Sequence, residues 1–285
     1  MFIKKQEFNE VKIIPSVVVY ILINFFVIFV AFFINEDLVD SNIDLLQLIS
    51  YILFTLYLFY KFKVNFRNLG NLIRDFIEKL NLKEITSVVF TQIFISIGTT
   101  FLILGVFCLI DINTANSLNS SSDELVTTGI ISLIVTVIGA PIVEELLFRS
   151  IIFKRVSRIF DVYVGMAISS ILFGILHVEL AVVGAVIFGI ANCILYLKYR
   201  NILIPMTVHF LNNLLVSLPI LFSDSSASAE TELLTQTDAY LFLLLGTIAF
   251  LVGLIFFIRF IIKNRKYIEA DAFDMKVYRF KKGLL

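Results

Sequence analysis

Tryptophan is absent from the 285 residues, and phenylalanine, with 30, supplies most of the aromatic content. The only two cysteines, Cys108 and Cys193, sit isolated in apolar runs, which excludes a disulfide framework and a cysteine metal knot. Charge of one sign is also missing: 23 basic residues balance 23 acidic ones, so no basic surplus supports nucleic-acid binding. No Gly-x-Ser-x-Gly elbow, no His-Glu-x-x-His and no intramembrane pair of aspartates occurs, which removes the usual serine, zinc and aspartyl hydrolase signatures. No internal repeat of the kind that builds secondary transporters is visible. The first apolar run is long and lacks a small-residue cleavage pattern, so no cleavable signal peptide is expected.

What is present is apolar sequence. The chain is 59% hydrophobic, where soluble domains average roughly 45–50%, and mean hydropathy is +0.96. Eight segments are long enough, or nearly so, to span a bilayer: Ile14–Ile34, Leu45–Tyr60, Val88–Ile110, Val126–Phe153, Val164–His177, Leu180–Leu197, Ile202–Phe222 and Tyr240–Ile262. The expected fold is all-α, a polytopic membrane bundle of about eight transmembrane helices in a cell membrane.

Basic and acidic connections alternate between these segments. Lys4, Lys5 and Lys12 precede the first; Glu36, Asp37, Asp40 and Asp44 follow it; Lys61, Lys63, Arg67, Arg74, Lys79 and Lys83 come next. Asp111, Asp123 and Glu124 follow the third, and Lys154, Arg155 and Arg158 the fourth. Lys198 and Arg200 lie before the seventh, Asp224, Glu230, Glu232 and Asp238 before the eighth, and a basic tail starts at Arg259. Positive charge marks the cytoplasmic side, so both termini are expected there. Within 65–83, Leu69, Leu72, Ile73, Phe76, Ile77 and Leu80 recur at helical spacing between basic residues. That pattern fits a helix lying on the membrane face and equally a loop helix docked on the protein itself. Segments Asn113–Asp123 and Ser223–Thr237 read as polar exterior loops.

Against this background a few polar residues stand out. Glu144 and Glu145 fall inside an apolar run, each costing roughly 2.5–3.5 kcal/mol at mid-membrane. Arg149 is four residues from Glu145 and shares its helix face, so the two can pair, while Glu144 is rotated by about 100° and left without that partner. Glu144 then has the setting of a general base or acid. Pro141 removes one backbone hydrogen bond just before the pair and can open the helix there. Both histidines of the chain are also in apolar segments, in Phe173-Gly174-Ile175-Leu176-His177 and in His209-Phe210-Leu211-Asn212-Asn213. His209 and Asn213, four apart, can donate to one point, as an oxyanion hole requires. Taken singly, a Glu–Arg pair can simply anchor helices and an intramembrane histidine can bond a neighbouring helix; Asn24 and Asn192 are expected to do the latter. Three polar clusters on three spans together supply a base, a second water ligand and two donors. Helix rise places His177 deeper than Glu144 unless its helix is tilted or starts below the surface. Two histidines and a glutamate could also hold zinc, but asparagine is a poor zinc ligand, so no metal cofactor is expected.

The ordered set Glu-Glu-x-x-x-Arg, Phe-x-x-x-His and His-x-x-x-Asn resembles the CAAX-prenyl protease and bacteriocin-processing family, known as CPBP or Abi. Glu144, Glu145 and Arg149, then Phe173 and His177, then His209 and Asn213 carry the resemblance, with Ala140, Pro141 and Phe148 in support. Ser150 stands where the family commonly has glycine. The resemblance implies an intramembrane endopeptidase of the glutamic type. In it Glu144 and His177 would activate water, His209 and Asn213 would hold the oxyanion, and Glu145, Arg149 and Phe173 would support the architecture. It implies a catalytic core over 126–222, between an N-terminal part, 1–125, and a C-terminal part, 223–285. It implies membrane lipids and a peptide or membrane-protein substrate as partners, in a bacterial plasma membrane. The family also contains non-catalytic regulators, linked to bacteriocin self-immunity or to membrane sensor kinases, which is the alternative function; a transporter is a third class.

Overall fold

The computed structural model describes residues 11–124, 129–177, 179–222 and 233–281. Lys4, Lys5, Asp224, Glu230 and Glu232 lie outside these, as does the 125–126 boundary between the first two expected parts. The described residues contain helices and no strand: α1 (Ile13–Ile34), α2 (Asp37–Ser41), α3 (Ile43–Lys61), α4 (Phe66–Lys79), α5 (Leu82–Ile110), α6 (Ile112–Glu124), α7 (Ile130–Ile159), α8 (Val162–Ile175), α9 (Val182–Tyr199), α10 (Leu203–Phe222) and α11 (Asp238–Lys281). Six of them, α1, α3, α5, α7, α9 and α11, are long and apolar enough to cross a membrane, and α8 and α10 are shorter apolar helices. The chain is an all-α, multi-pass membrane protein. Its exterior agrees: Phe25, Phe26, Phe29, Phe32 and Phe33 of α1 are all exposed, a surface that water would not tolerate and lipid does.

Local chemistry sets several boundaries. Asn65, Asn81 and Asp161 cap the N-termini of α4, α5 and α8 by accepting from the backbone N–H of Asn68, Glu84 and Val164. Arg200 takes left-handed backbone (φ 53°) between α9 and α10, and its guanidinium bonds Asp271 at 2.6 Å.

Helices α5 and α11 run antiparallel and touch along their lengths because glycines line the seam. A Cβ on Gly98 would lie 2.5 Å from the Phe250 backbone nitrogen, and one on Gly253 2.9 Å from that of Ile95. Gly105 faces Leu243 and Gly246 faces Leu102 in the same way, so each helix presents glycines seven residues apart. At one end of the seam Glu84 accepts from Lys198 at 2.6 Å, from the Tyr199 hydroxyl and from Asn264 at 3.4 Å. Nearby, Asn201 bonds the Leu72 carbonyl at 3.0 Å and Asp75 at 2.8 Å, and Lys79 bonds the Tyr199 carbonyl at 2.9 Å. Residues of the basic loops thus meet at one end of the molecule.

The structure revises four expectations. Segment Asn113–Asp123 is helix α6, not a loop: Asp111 caps it, Asn116 and Ser120 bond back to carbonyls four residues earlier, and Ala115 is buried against Cys108 and Ala239. The fifth apolar segment stops being helical at Ile175, so His177 lies beyond α8. The last helix continues to Lys281 rather than ending near Ile262. Asn24 bonds the Tyr20 carbonyl of its own helix rather than a neighbour. Helix α4 is docked on the protein itself. Leu72 and Phe76 rest on the core, while Phe66, Ile73 and Ile77 stay exposed.

Candidate active site

Helix α7 carries the first cluster and is irregular around it. Val135–Gly139 and Leu146–Phe153 are π-helical, flanking the α-helical turn Ala140–Glu145. The Ala140 N–H bonds the Val135 carbonyl, five residues back. The next carbonyl in that register, Thr136, would need an N–H from Pro141, which has none. The Asn213 side-chain amide fills the gap, donating to the Thr136 carbonyl at 2.9 Å. Ser169 does the same at the second π segment, donating to the Phe148 carbonyl at 2.9 Å. Such π insertions recur at functional sites because they turn side chains away from regular helical positions.

Glu145 is fully sealed. Its Oε2 lies 3.1 Å from Arg149 Nε, and both side chains are 0% exposed. The guanidinium N–H is not aligned on that oxygen, and neither Nη atom has a hydrogen-bond partner among the described residues. Arg149 instead stacks on Phe173, 4.4 Å from the ring centroid. The other carboxylate oxygen, Oε1, accepts from Asn192 of α9 at 3.0 Å and from His209 Nδ1 of α10 at 3.1 Å. A carboxylate only accepts, so this contact places the proton of a neutral His209 on Nδ1 and leaves Nε2 with its lone pair.

Glu144 is different. Its side chain is 26% exposed, and its Oε2 lies 3.8 Å from His209 Nε2. It has no hydrogen-bond partner for that oxygen among the described residues. His177 Nδ1 donates to the Phe173 carbonyl at 2.8 Å, which again leaves Nε2 free. Its ring packs tilted against Phe173 at 4.5 Å between centroids and 48° between planes, while His209 meets the same Phe173 edge-on at 5.6 Å. Phe148 and Phe188 close around Phe173 at 5.3 and 6.2 Å.

The structure therefore gathers Glu144, Glu145, Arg149, Phe173 and His209 directly, and His177 joins them through its contact with Phe173. Asn213 sits one turn beyond His209 with one amide N–H occupied by Thr136. Asn192 is the residue whose place sequence reasoning missed; it was expected to bond between helices but its partner, Glu145, could not be read. Among the described residues no three His, Cys, Asp or Glu side chains are disposed to hold a metal ion.

Sequence comparison bears on these same helices. Residues 126–215 match the family described as "Type II CAAX prenyl endopeptidase Rce1-like". A Bacillus subtilis (strain 168) protein named "Putative membrane peptidase YdiL" is 33% identical over 85 residues. That match covers 30% of this chain and 35% of the relative, so the shared part is about a third of each. No solved structure matches. Residues 126–215 thus resemble the Rce1-like family of membrane endopeptidases, the group to which the CPBP resemblance also points.

Proposed function

We propose that the protein is an intramembrane endopeptidase of a bacterial plasma membrane that hydrolyses a peptide bond with water activated by Glu144. The carrying observation is the contrast between two adjacent carboxylates. Glu145 is held by three partners and has no exposure, whereas Glu144 is partly exposed and faces an imidazole nitrogen at 3.8 Å. In this reading Glu144 and His177 Nε2 orient the attacking water, and Glu144 takes its proton as the bond to the scissile carbonyl carbon forms. The tetrahedral oxyanion is stabilised by Asn213, through its second amide N–H, and by His209 in its doubly protonated form, since neutral His209 has no N–H to offer at Nε2. The proton on Glu144 then passes to the leaving amine as the C–N bond breaks. Glu145, Arg149 and Phe173 fix His209 and act as positioning residues.

No metal enters this scheme, so activity is expected to persist in EDTA; loss with EDTA and recovery with zinc would instead assign Glu144 and the two free Nε2 atoms to a metal. The substrate is proposed to be a peptide or membrane protein reaching the site among lipids. The test compares secreted and membrane peptides from cells expressing the wild type or Glu144→Ala. Cleavage products present only with the wild type support the reading. A phenotype that survives joint replacement of Glu144 and His177 would favour a non-catalytic regulator acting on another membrane protein.

A further inference from the structure

At the basic end of the α5–α11 seam a cleft of about 320 Å³ opens between the two helices. Lys83 and Ser87 line it from α5, and Phe256, Arg259, Phe260 and Lys263 from α11. Lys83, Arg259 and Lys263 carry three positive charges into it. None of the three has an ion pair or side-chain hydrogen bond among the described residues, in contrast to the neighbouring Lys198, Arg200 and Arg265. The one acidic group of the lining, Glu84, is already engaged: its oxygens accept from Lys198, Tyr199 and Asn264. The N-terminus of the 29-residue helix α5, capped by Asn81 of the same lining, brings its positive dipole end to this place.

The apolar continuation of the cleft decides what kind of anion it suits. Lys83, Ser87, Phe90 and Phe94 follow one another at intervals of four and three residues, so they form one stripe on α5. Lys263, Arg259, Phe256 and Val252 do the same on α11. The α5 stripe is cationic at the helix N-terminus and the α11 stripe at Arg259 and Lys263 opposite it, and both turn apolar toward the bundle's middle. Phe90, Phe94 and Phe256 are 57%, 42% and 47% exposed, so these rings stand on the lipid-facing surface. A ligand matching both halves has a negatively charged head and long apolar tails. From this we infer that the α5–α11 cleft binds the phosphodiester headgroup of an anionic phospholipid, with its acyl chains lying along Phe90, Phe94 and Phe256. Basic pockets between membrane helices take such headgroups by the same chemistry. Because α5 also carries Glu84, which holds α9 through Lys198 and Tyr199, an occupied cleft braces the end of the helix that supplies Asn192 to the active site.

The test uses the purified full-length chain in neutral detergent, with native mass spectrometry counting bound lipid and thermal unfolding reading its effect. Phosphatidylglycerol and phosphatidylcholine micelles and inorganic phosphate are the three probes. The wild type is expected to retain phosphatidylglycerol and unfold at higher temperature with it. At about five-fold per basic side chain, affinity should fall roughly 25-fold in R259Q/K263Q and about five-fold in K83Q. The variant R67Q/R74Q, which removes basic residues from α4, should bind as the wild type does. Equal retention of phosphatidylcholine, equal stabilisation by inorganic phosphate, unchanged binding in both R259Q/K263Q and K83Q, or an equal loss in R67Q/R74Q would each overturn the assignment.

Discussion

Removing the Arg149 side chain is the sharpest probe of how the site is held. In Arg149→Ala the Glu145 carboxylate stays at 0% exposure with no cation beside it. Breaking one partner out of a buried pair typically destabilises by about 3–5 kcal/mol. Two further effects act in opposite directions. The guanidinium–Phe173 stacking at 4.4 Å is lost as well, worth about 2 kcal/mol in a desolvated site. Against this, Asn192 and His209 still hold Oε1, which softens the penalty of the unpaired buried charge. The net expectation stays at about 3–5 kcal/mol, which at roughly 2–4 °C per kcal/mol lowers Tm by about 10 °C. The chain has no tryptophan to report unfolding, but Cys108 and Cys193 are both buried free thiols, so a thiol-reactive dye reads the transition. The double variant Glu145→Gln with Arg149→Met removes both charges together. Because the Arg149 Nη atoms have no hydrogen-bond partner, the pair is imperfectly compensated, and the double variant should recover most of the lost stability. An Arg149→Ala Tm within about 2 °C of wild type, or a double variant no more stable than the single one, would refute the buried-pair reasoning.

Asn192→Leu leaves Glu145 Oε1 with His209 alone and should lower stability by about 1–3 kcal/mol, measured by the same dye assay. Gly98→Leu drives a side chain into the Phe250 backbone and should cost about 1–3 kcal/mol or more, whereas Gly70→Leu, where a Cβ meets nothing within 4 Å, should be well tolerated. For Asp75, burial pushes the carboxyl up, but the hydrogen bonds from Lys79 and Asn201 outweigh it and hold it below its ordinary value of 3.8. A lowered folded value means that the α4 dock is fully stabilised above that ordinary value and loosens as pH falls through the folded one. Hydrogen exchange in α4 should therefore rise below about pH 4, and Asn201→Ala should flatten that dependence.

Much of this architecture was legible from the chain. Hydropathy located all eight apolar helices, and the four-residue spacing of Glu145 and Arg149 gave their pairing. What could not be read lies in contacts between distant segments and in departures from regular helix. Pro141 announced a disturbance, but not that π-helix would surround it or that Asn213 would cap the Thr136 carbonyl it leaves bare. Asn192 looked like any polar residue in a span until α9 placed it on Glu145. His177 lies past the end of α8, where it bonds the Phe173 carbonyl one turn back and packs against the ring that also touches Arg149 and His209, a position that its spacing in the sequence did not reveal. Polar Asn113–Asp123 looked like a loop because its helix is held by side chains bonding their own backbone, a pattern without an apolar signature.

The division of labour between the two neighbouring glutamates is the claim most open to direct measurement. Purified Glu144→Gln and Glu145→Gln proteins can be compared for cleavage of a peptide product set defined with the wild type, and for Tm. Glu144→Gln should keep the wild-type Tm while losing about 10²–10⁴-fold in rate, and Glu145→Gln should lose stability first. Wild-type cleavage by Glu144→Gln, in a protein that folds normally, would contradict the account.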